Sequence, residues 1–221
     1  MKESKNYWLN SSKEFSNIYK KDGSLFKNIV KFFLDSRTNI LLKLLKIKKN
    51  DIVLDLGCGS GIHMQLLSPK CKKIIGLDIS KEMTTKARSL LKKQKTNNWE
   101  LITRPADNTK LPTNSFDKII ALGLLDYVSS PNKILKECAR IIKNNGEILF
   151  TLPKKPSLFS FLRTKTGNKI KKLIFNLPPV DNVLNKKQLI ELTKKSGFKV
   201  LKICSIWTTM WVIKAKYNDK K

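Results

Sequence analysis

Apolar positions are spaced differently before and after about residue 50. In the first part, Trp8, Phe15, Ile18 and Tyr19, then Leu25, Phe26, Ile29, Val30, Phe32 and Phe33, then Ile40, Leu41, Leu44 and Leu45 recur at helical intervals. They predict a helical extension of two or three amphipathic helices over residues 1–50. From Asp51 onward, short apolar runs alternate with helical stretches. The runs 52–56, 74–78, 99–103, 116–122 and 147–152 are expected strands, and 81–93, 131–142 and 186–196 expected helices. Such alternation predicts an α/β domain over 51–221, doubly wound around a seven-stranded, mostly parallel sheet. The last two runs, 198–204 and 206–217, have almost nothing between them, so they are expected to pair antiparallel as a hairpin at the sheet edge. Residues 154–180 break the rhythm with lysines, Phe159, Phe161 and adjacent prolines, and are read as an insertion on the substrate side.

The chemistry gathers where the first strand ends. Val53-Leu54-Asp55-Leu56 runs directly into Gly57-Cys58-Gly59-Ser60-Gly61, and Ile62-His63 opens a helix. Glycines at such a turn let the backbone approach a ligand closely. A dinucleotide pyrophosphate site has the spacing GxGxxG, whereas this turn reads GxGxG, which argues against a nicotinamide dinucleotide. Asp78 closes the second strand about 20 residues beyond the glycines, where a carboxylate can accept both hydroxyls of a ribose. Ser80 is itself a good cap for the following helix, so capping does not require Asp78.

With these motifs the chain resembles the class I S-adenosylmethionine-dependent methyltransferases, of the small-molecule, methyltransferase-domain-11-like type, from about Asp51 to Phe198. Leu111-Pro112-Thr113-Asn114-Ser115-Phe116-Asp117 is similar to the family's lead into strand four. Cys138-Ala139-Arg140-Ile141-Ile142-Lys143-Asn144-Asn145-Gly146 is similar to its turn into strand five, with Asn144-Asn145 in place of Pro-Gly. The resemblance implies S-adenosylmethionine as cofactor, with Asp55 and the turn Gly57, Cys58, Gly59 and Gly61 around its methionine part and Asp78 on its ribose. Ile79 and Met83 are implied against the adenine, Ala106 and Asp107 at its edge, and Leu122 at the end of strand four. Tyr19, like Tyr7 and Trp8, lies on an extension that in similar enzymes folds over the cofactor.

In-line methyl transfer from a sulfonium needs no protonated leaving group, so alignment of the nucleophile can carry much of the catalysis. If the acceptor must lose a proton, Asp126 and Tyr127 after strand four are the positional candidates for a catalytic role. The lone histidine, His63, is expected to pack or cap. The segments 121–128 and 7–19 most resemble methyltransferases of the ubiquinone-biosynthesis and magnesium-protoporphyrin type, which implies a small-molecule acceptor with an oxygen, nitrogen or carbon nucleophile.

Composition qualifies this picture. A net charge of +28 invites a nucleic-acid or anionic-membrane partner. Only five of the 45 basic residues are arginines, however, and the lysines are scattered along the chain, so a basic surface of compositional origin is favoured. Methylation of RNA or another polyanion, and a non-catalytic basic binding protein of the same fold, stand as alternatives. Cys58, Cys71, Cys138 and Cys204 form no CxxC or Cys/His pairing, so neither a metal site nor a disulfide framework is signalled. A cytoplasmic setting is expected, and the oligomeric state is not readable.

Overall fold

The computed structural model describes residues 38–41, 43–155, 182–206 and 210–218. Tyr7, Trp8, Tyr19 and nearly all of the 154–180 segment lie outside these residues.

Strand β1 (Ile52–Leu56) is buried along Val53–Leu56, and β2 (Lys73–Asp78) along Ile74–Leu77. Such continuous apolar runs suit central parallel strands covered on both faces. With β3 (Trp99–Thr103), β4 (Phe116–Ala121), β5 (Ile142–Pro153), β6 (Phe198–Ile206) and β7 (Met210–Tyr217) they form one seven-stranded sheet in the order β3-β2-β1-β4-β5-β7-β6. The first five run parallel; β7 is antiparallel to both β5 and β6.

Helices cover both faces. Helix α1 (Ile62–Leu67) and α2 (Lys81–Leu91) follow β1 and β2, while α3 (Pro131–Ile141) and α4 (Lys186–Lys195) flank β5. One apolar core packs Ile134, Leu135, Cys138 and Leu189 against Leu54, Ile119 and Phe150. The opposite core sets Leu41 and Leu45, from the helical residues 38–41 and 43–45, with Met64 and Leu91 against Val53, Ile74 and Ile120. Gly76 belongs to this packing, because a Cβ there would stand 2.2 Å from the Met64 sulfur. The chain winds outward from β1 to β3 and then back past β1 to β4, which puts the topological switch point at the carboxyl ends of β1 and β4. Open α/β sheets bind ligands at such a switch point.

Two boundaries depart from expectation. Strand β5 begins at Ile142 and loops out before Glu147, since Phe116 pairs with Ile142 whereas Lys118 pairs with Glu147. Asn145 occupies the left-handed region at φ 65°, a conformation that asparagine tolerates better than most residues. The hairpin break also falls later than the expected residue 205: Ile206 still pairs with Met210. Both flanks alternate apolar side chains, and Trp207-Thr208-Thr209 carries no turn-forming residue that would have marked the break. Among the described residues no helix is long and apolar enough to cross a membrane.

Candidate functional site

The three glycines after β1 all take positive φ but differ in what surrounds them. Gly57, at φ 77°, donates its N–H to the Leu77 carbonyl at 2.7 Å, and a Cβ there would press on the Leu124 side chain at 3.1 Å. Gly61, at φ 82°, lies so close to α2 that a Cβ would meet the Ala87 Cβ at 2.9 Å. Gly59, at φ 52°, is different: a Cβ there would meet nothing within 4 Å. The first and third serve packing within the protein, whereas the middle one borders open space.

Asp78 faces this turn. Its Oδ2 accepts the Gly59 N–H at 2.9 Å and its Oδ1 accepts the Ser80 N–H at 2.9 Å. Ser80 caps α2 by accepting the Met83 N–H, so Asp78 is not spent on the helix end. A carboxylate oxygen carries two lone pairs, and each Asp78 oxygen retains acceptor capacity for a hydroxyl. Burial pushes the carboxyl pKa above its ordinary value, while the N–H groups of Ser80 and Gly59 pull it down. The nearby Cys58 thiol is pushed well above its usual value by burial and by the charges of Asp55 and Asp78. It is therefore a neutral packing group rather than a nucleophile.

The remaining expected site residues stand on β1, on α2 and on the segments that follow β2, β3 and β4. Asp55 is buried at the end of β1, Ile79 is half-buried, and Met83 is buried on the first turn of α2. Ala106 packs against the core and Asp107 is exposed on the loop after β3. Leu122 is buried just past β4. His63 in α1 contacts the Thr38 hydroxyl through Nε2 at 3.3 Å, tying the preceding helix to the glycine turn.

A 3₁₀ turn, Leu125–Tyr127, places Asp126 in a buried position and Tyr127 in a half-buried one. The Leu124 side chain, just before this turn, occupies the space beside Gly57 that a Cβ there would need. Gly123 donates its N–H to the Thr151 hydroxyl at 2.8 Å, and the Asn182 amide donates to the carbonyls of Leu125 and Val128 at 2.9 and 2.5 Å. Leu124, Thr151 and Asn182 were not foreseen. Thr151 had a signal, as the polar residue in an otherwise apolar run, Ile148-Leu149-Phe150-Thr151-Leu152; Leu124 and Asn182 had none. Among the described residues no group of three or more His, Cys, Asp and Glu side chains could hold a metal ion.

The donor set matches a nucleoside ligand without a pyrophosphate: open space over a glycine, a half-buried carboxylate with acceptor capacity, and an apolar pair beside it. Residues 54–150 match the model of the family described as "Methyltransferase domain". The chain is 26% identical over 169 residues to a ubiquinone biosynthesis O-methyltransferase of Coxiella burnetii, covering 72% of this chain and 68% of that protein. It is 33% identical over 145 residues to a malonyl-[acyl-carrier protein] O-methyltransferase of Legionella pneumophila, covering 62% and 49%. The fold is also that of magnesium protoporphyrin IX methyltransferase from Synechocystis with bound S-adenosylhomocysteine, at a TM-score of 0.76 and 15% identity, over 96% of this chain and 97% of that one. The glycine turn, the acid closing β2, the strand order and these matches converge: residues 54–150 form a methyltransferase domain, and the chain carries the fold of the S-adenosylmethionine-dependent methyltransferases.

Proposed function

We propose that this protein methylates a small-molecule acceptor at an oxygen, nitrogen or carbon atom. The observation that carries the cofactor half is the paired engagement of Asp78 with Gly59 and Ser80 beside the open face of Gly59. In this reading Asp78 takes the ribose hydroxyls, Ile79 and Met83 line the adenine, and Ala106 with Asp107 meets its edge. Asp55, Gly57, Cys58 and Gly61 shape the turn around the methionine part, and Leu122 closes the floor. When bound, S-adenosylmethionine supplies a methyl group on a sulfonium, a leaving group that needs no proton.

The protein's own task is then to align the acceptor and, where the nucleophile carries a proton, to receive it. Asp126 is the favoured proton acceptor, with Tyr127 orienting the acceptor. Both stand on the turn that follows Leu124, whose side chain lies beside Gly57. The small-molecule reading is supported by relatives and neighbours named for ubiquinone biosynthesis, for malonyl-[acyl-carrier protein] and for magnesium protoporphyrin IX.

Release of S-adenosylhomocysteine, measured with phenols, carboxylic acids and amines against an RNA pool, tests this reading. Turnover with a small molecule that drops at least tenfold in Asp126→Asn supports it. Turnover confined to RNA overturns it.

A further inference from the structure

The loop between β3 and β4 is held from outside by α3, and the bonds converge on one carboxylate. Glu137 Oε1 accepts the Thr109 N–H at 3.1 Å and the Thr109 hydroxyl at 2.6 Å. Arg140, on the same helix, donates Nε to Oε2 and Nη2 to Oε1, both at 2.8 Å, and Nη2 also reaches the Leu111 carbonyl at 2.8 Å. Arg104, at the start of the loop, donates Nη1 to the Thr109 carbonyl at 3.2 Å, and its own N–H goes to the Asp78 carbonyl at 3.0 Å. Thr109 is fully buried although it is polar.

Between the two clamped residues, Lys110 sits at φ 56°, a left-handed conformation that a lysine adopts only when its surroundings over-determine it. A connection that merely linked two strands would need neither this strain nor a charged anchor under it. The same loop, between Arg104 and Thr109, carries Ala106 and Asp107.

We propose that Glu137 is a positioning residue for the cofactor, clamping Thr109 so that Ala106 and Asp107 hold the register needed to read the adenine edge. The inference rests on the cofactor assignment above. It adds a residue that touches no ligand and acts through Thr109 and Arg140. Recognition of the 6-amino group by an acceptor on the loop depends on placement to a few tenths of an ångström. Loosening the clamp therefore costs selectivity for the base more than it costs the fold.

The test compares binding of S-adenosylhomocysteine and S-inosylhomocysteine, which differ at purine position 6, by calorimetry on the full chain. The unaltered protein, Glu137→Gln, Thr109→Val and Thr109→Ser are each confirmed folded by circular dichroism at the working temperature. The unaltered protein prefers the adenosine ligand by about tenfold or more, as expected when a polar edge is left unmatched. Thr109→Val and Glu137→Gln shrink that ratio to about threefold or less, and Thr109→Ser, which keeps the hydroxyl, restores it. A merely structural role weakens both ligands equally and leaves the ratio unchanged, which overturns the proposal. Equal binding of both ligands by the unaltered protein also overturns it. Failure of that protein to bind either ligand instead overturns the cofactor assignment on which it rests.

Discussion

Replacing Gly59 by alanine separates the ligand-facing part of the turn from its structural part. At φ 52° an alanine pays for a left-handed backbone, about 1–2 kcal/mol. Its methyl group meets no protein atom within 4 Å, so no packing cost is added. The loss of about 1–2 kcal/mol lowers the melting temperature of a chain this size by roughly 2–8 °C. If the ligand's methionine part lies against Gly59, the same methyl intrudes on it, and overpacking of that kind costs about 1–3 kcal/mol. That corresponds to roughly 5- to 150-fold in the dissociation constant. Calorimetric titration with S-adenosylhomocysteine, beside a thermal melt, reads both quantities on one sample. A variant with the expected small loss of stability but an affinity within twofold of the unaltered protein refutes the placement of the ligand over Gly59.

Gly61→Ala is expected to do the opposite, losing about 2–5 kcal/mol of stability in a denaturant melt. Its Cβ collides with Ala87 at 2.9 Å and its φ is 82°. For Asp78, whose pKa burial raises, S-adenosylhomocysteine affinity should fall on acidification at a pH above the ordinary carboxylate range, with Asp78→Asn flattening the profile. The sign for stability is reversed: the folded state binds the extra proton, so Asp78 by itself favours folding as pH falls toward its unfolded value. The Glu137 carboxyl, lowered to about 2 chiefly by Arg140 and held also by Thr109, contributes stability that is complete above about 4.5. That contribution, at most about 3 kcal/mol and less once solvent screening at the half-exposed Arg140 is discounted, is lost between about 4.5 and 2. Denaturant melts from pH 5 to pH 2.5 should show Glu137→Gln losing less stability than the unaltered chain.

Much of the fold was legible because its central strands are buried on both faces and read as uninterrupted apolar runs, as in Ile52–Leu56. The cofactor side was legible for a related reason. A backbone that must approach a ligand uses glycine, and a ribose needs an acid at the end of the next strand, so Gly57, Gly59, Gly61 and Asp78 stand out in one dimension. What stayed hidden depends on partners distant in sequence. Leu124 matters because it occupies the space beside Gly57, Asn182 because it holds carbonyls more than fifty residues away, and Glu137 because it reaches Thr109. A helical glutamate followed three residues later by an arginine reads as an ordinary surface pair. The hairpin break stayed hidden because alternation persists on both sides of it.

The most direct test of the central claim is calorimetric titration of the full chain with S-adenosylmethionine and S-adenosylhomocysteine, with NAD as control, repeated on Asp78→Ala. The account predicts that both sulfur ligands bind, that NAD does not, and that Asp78→Ala loses about 1.5–3 kcal/mol for each charge-assisted hydrogen bond removed, at least tenfold in affinity. A folded protein that binds neither sulfur ligand at millimolar concentration, or whose affinity for them is unchanged in Asp78→Ala, contradicts it.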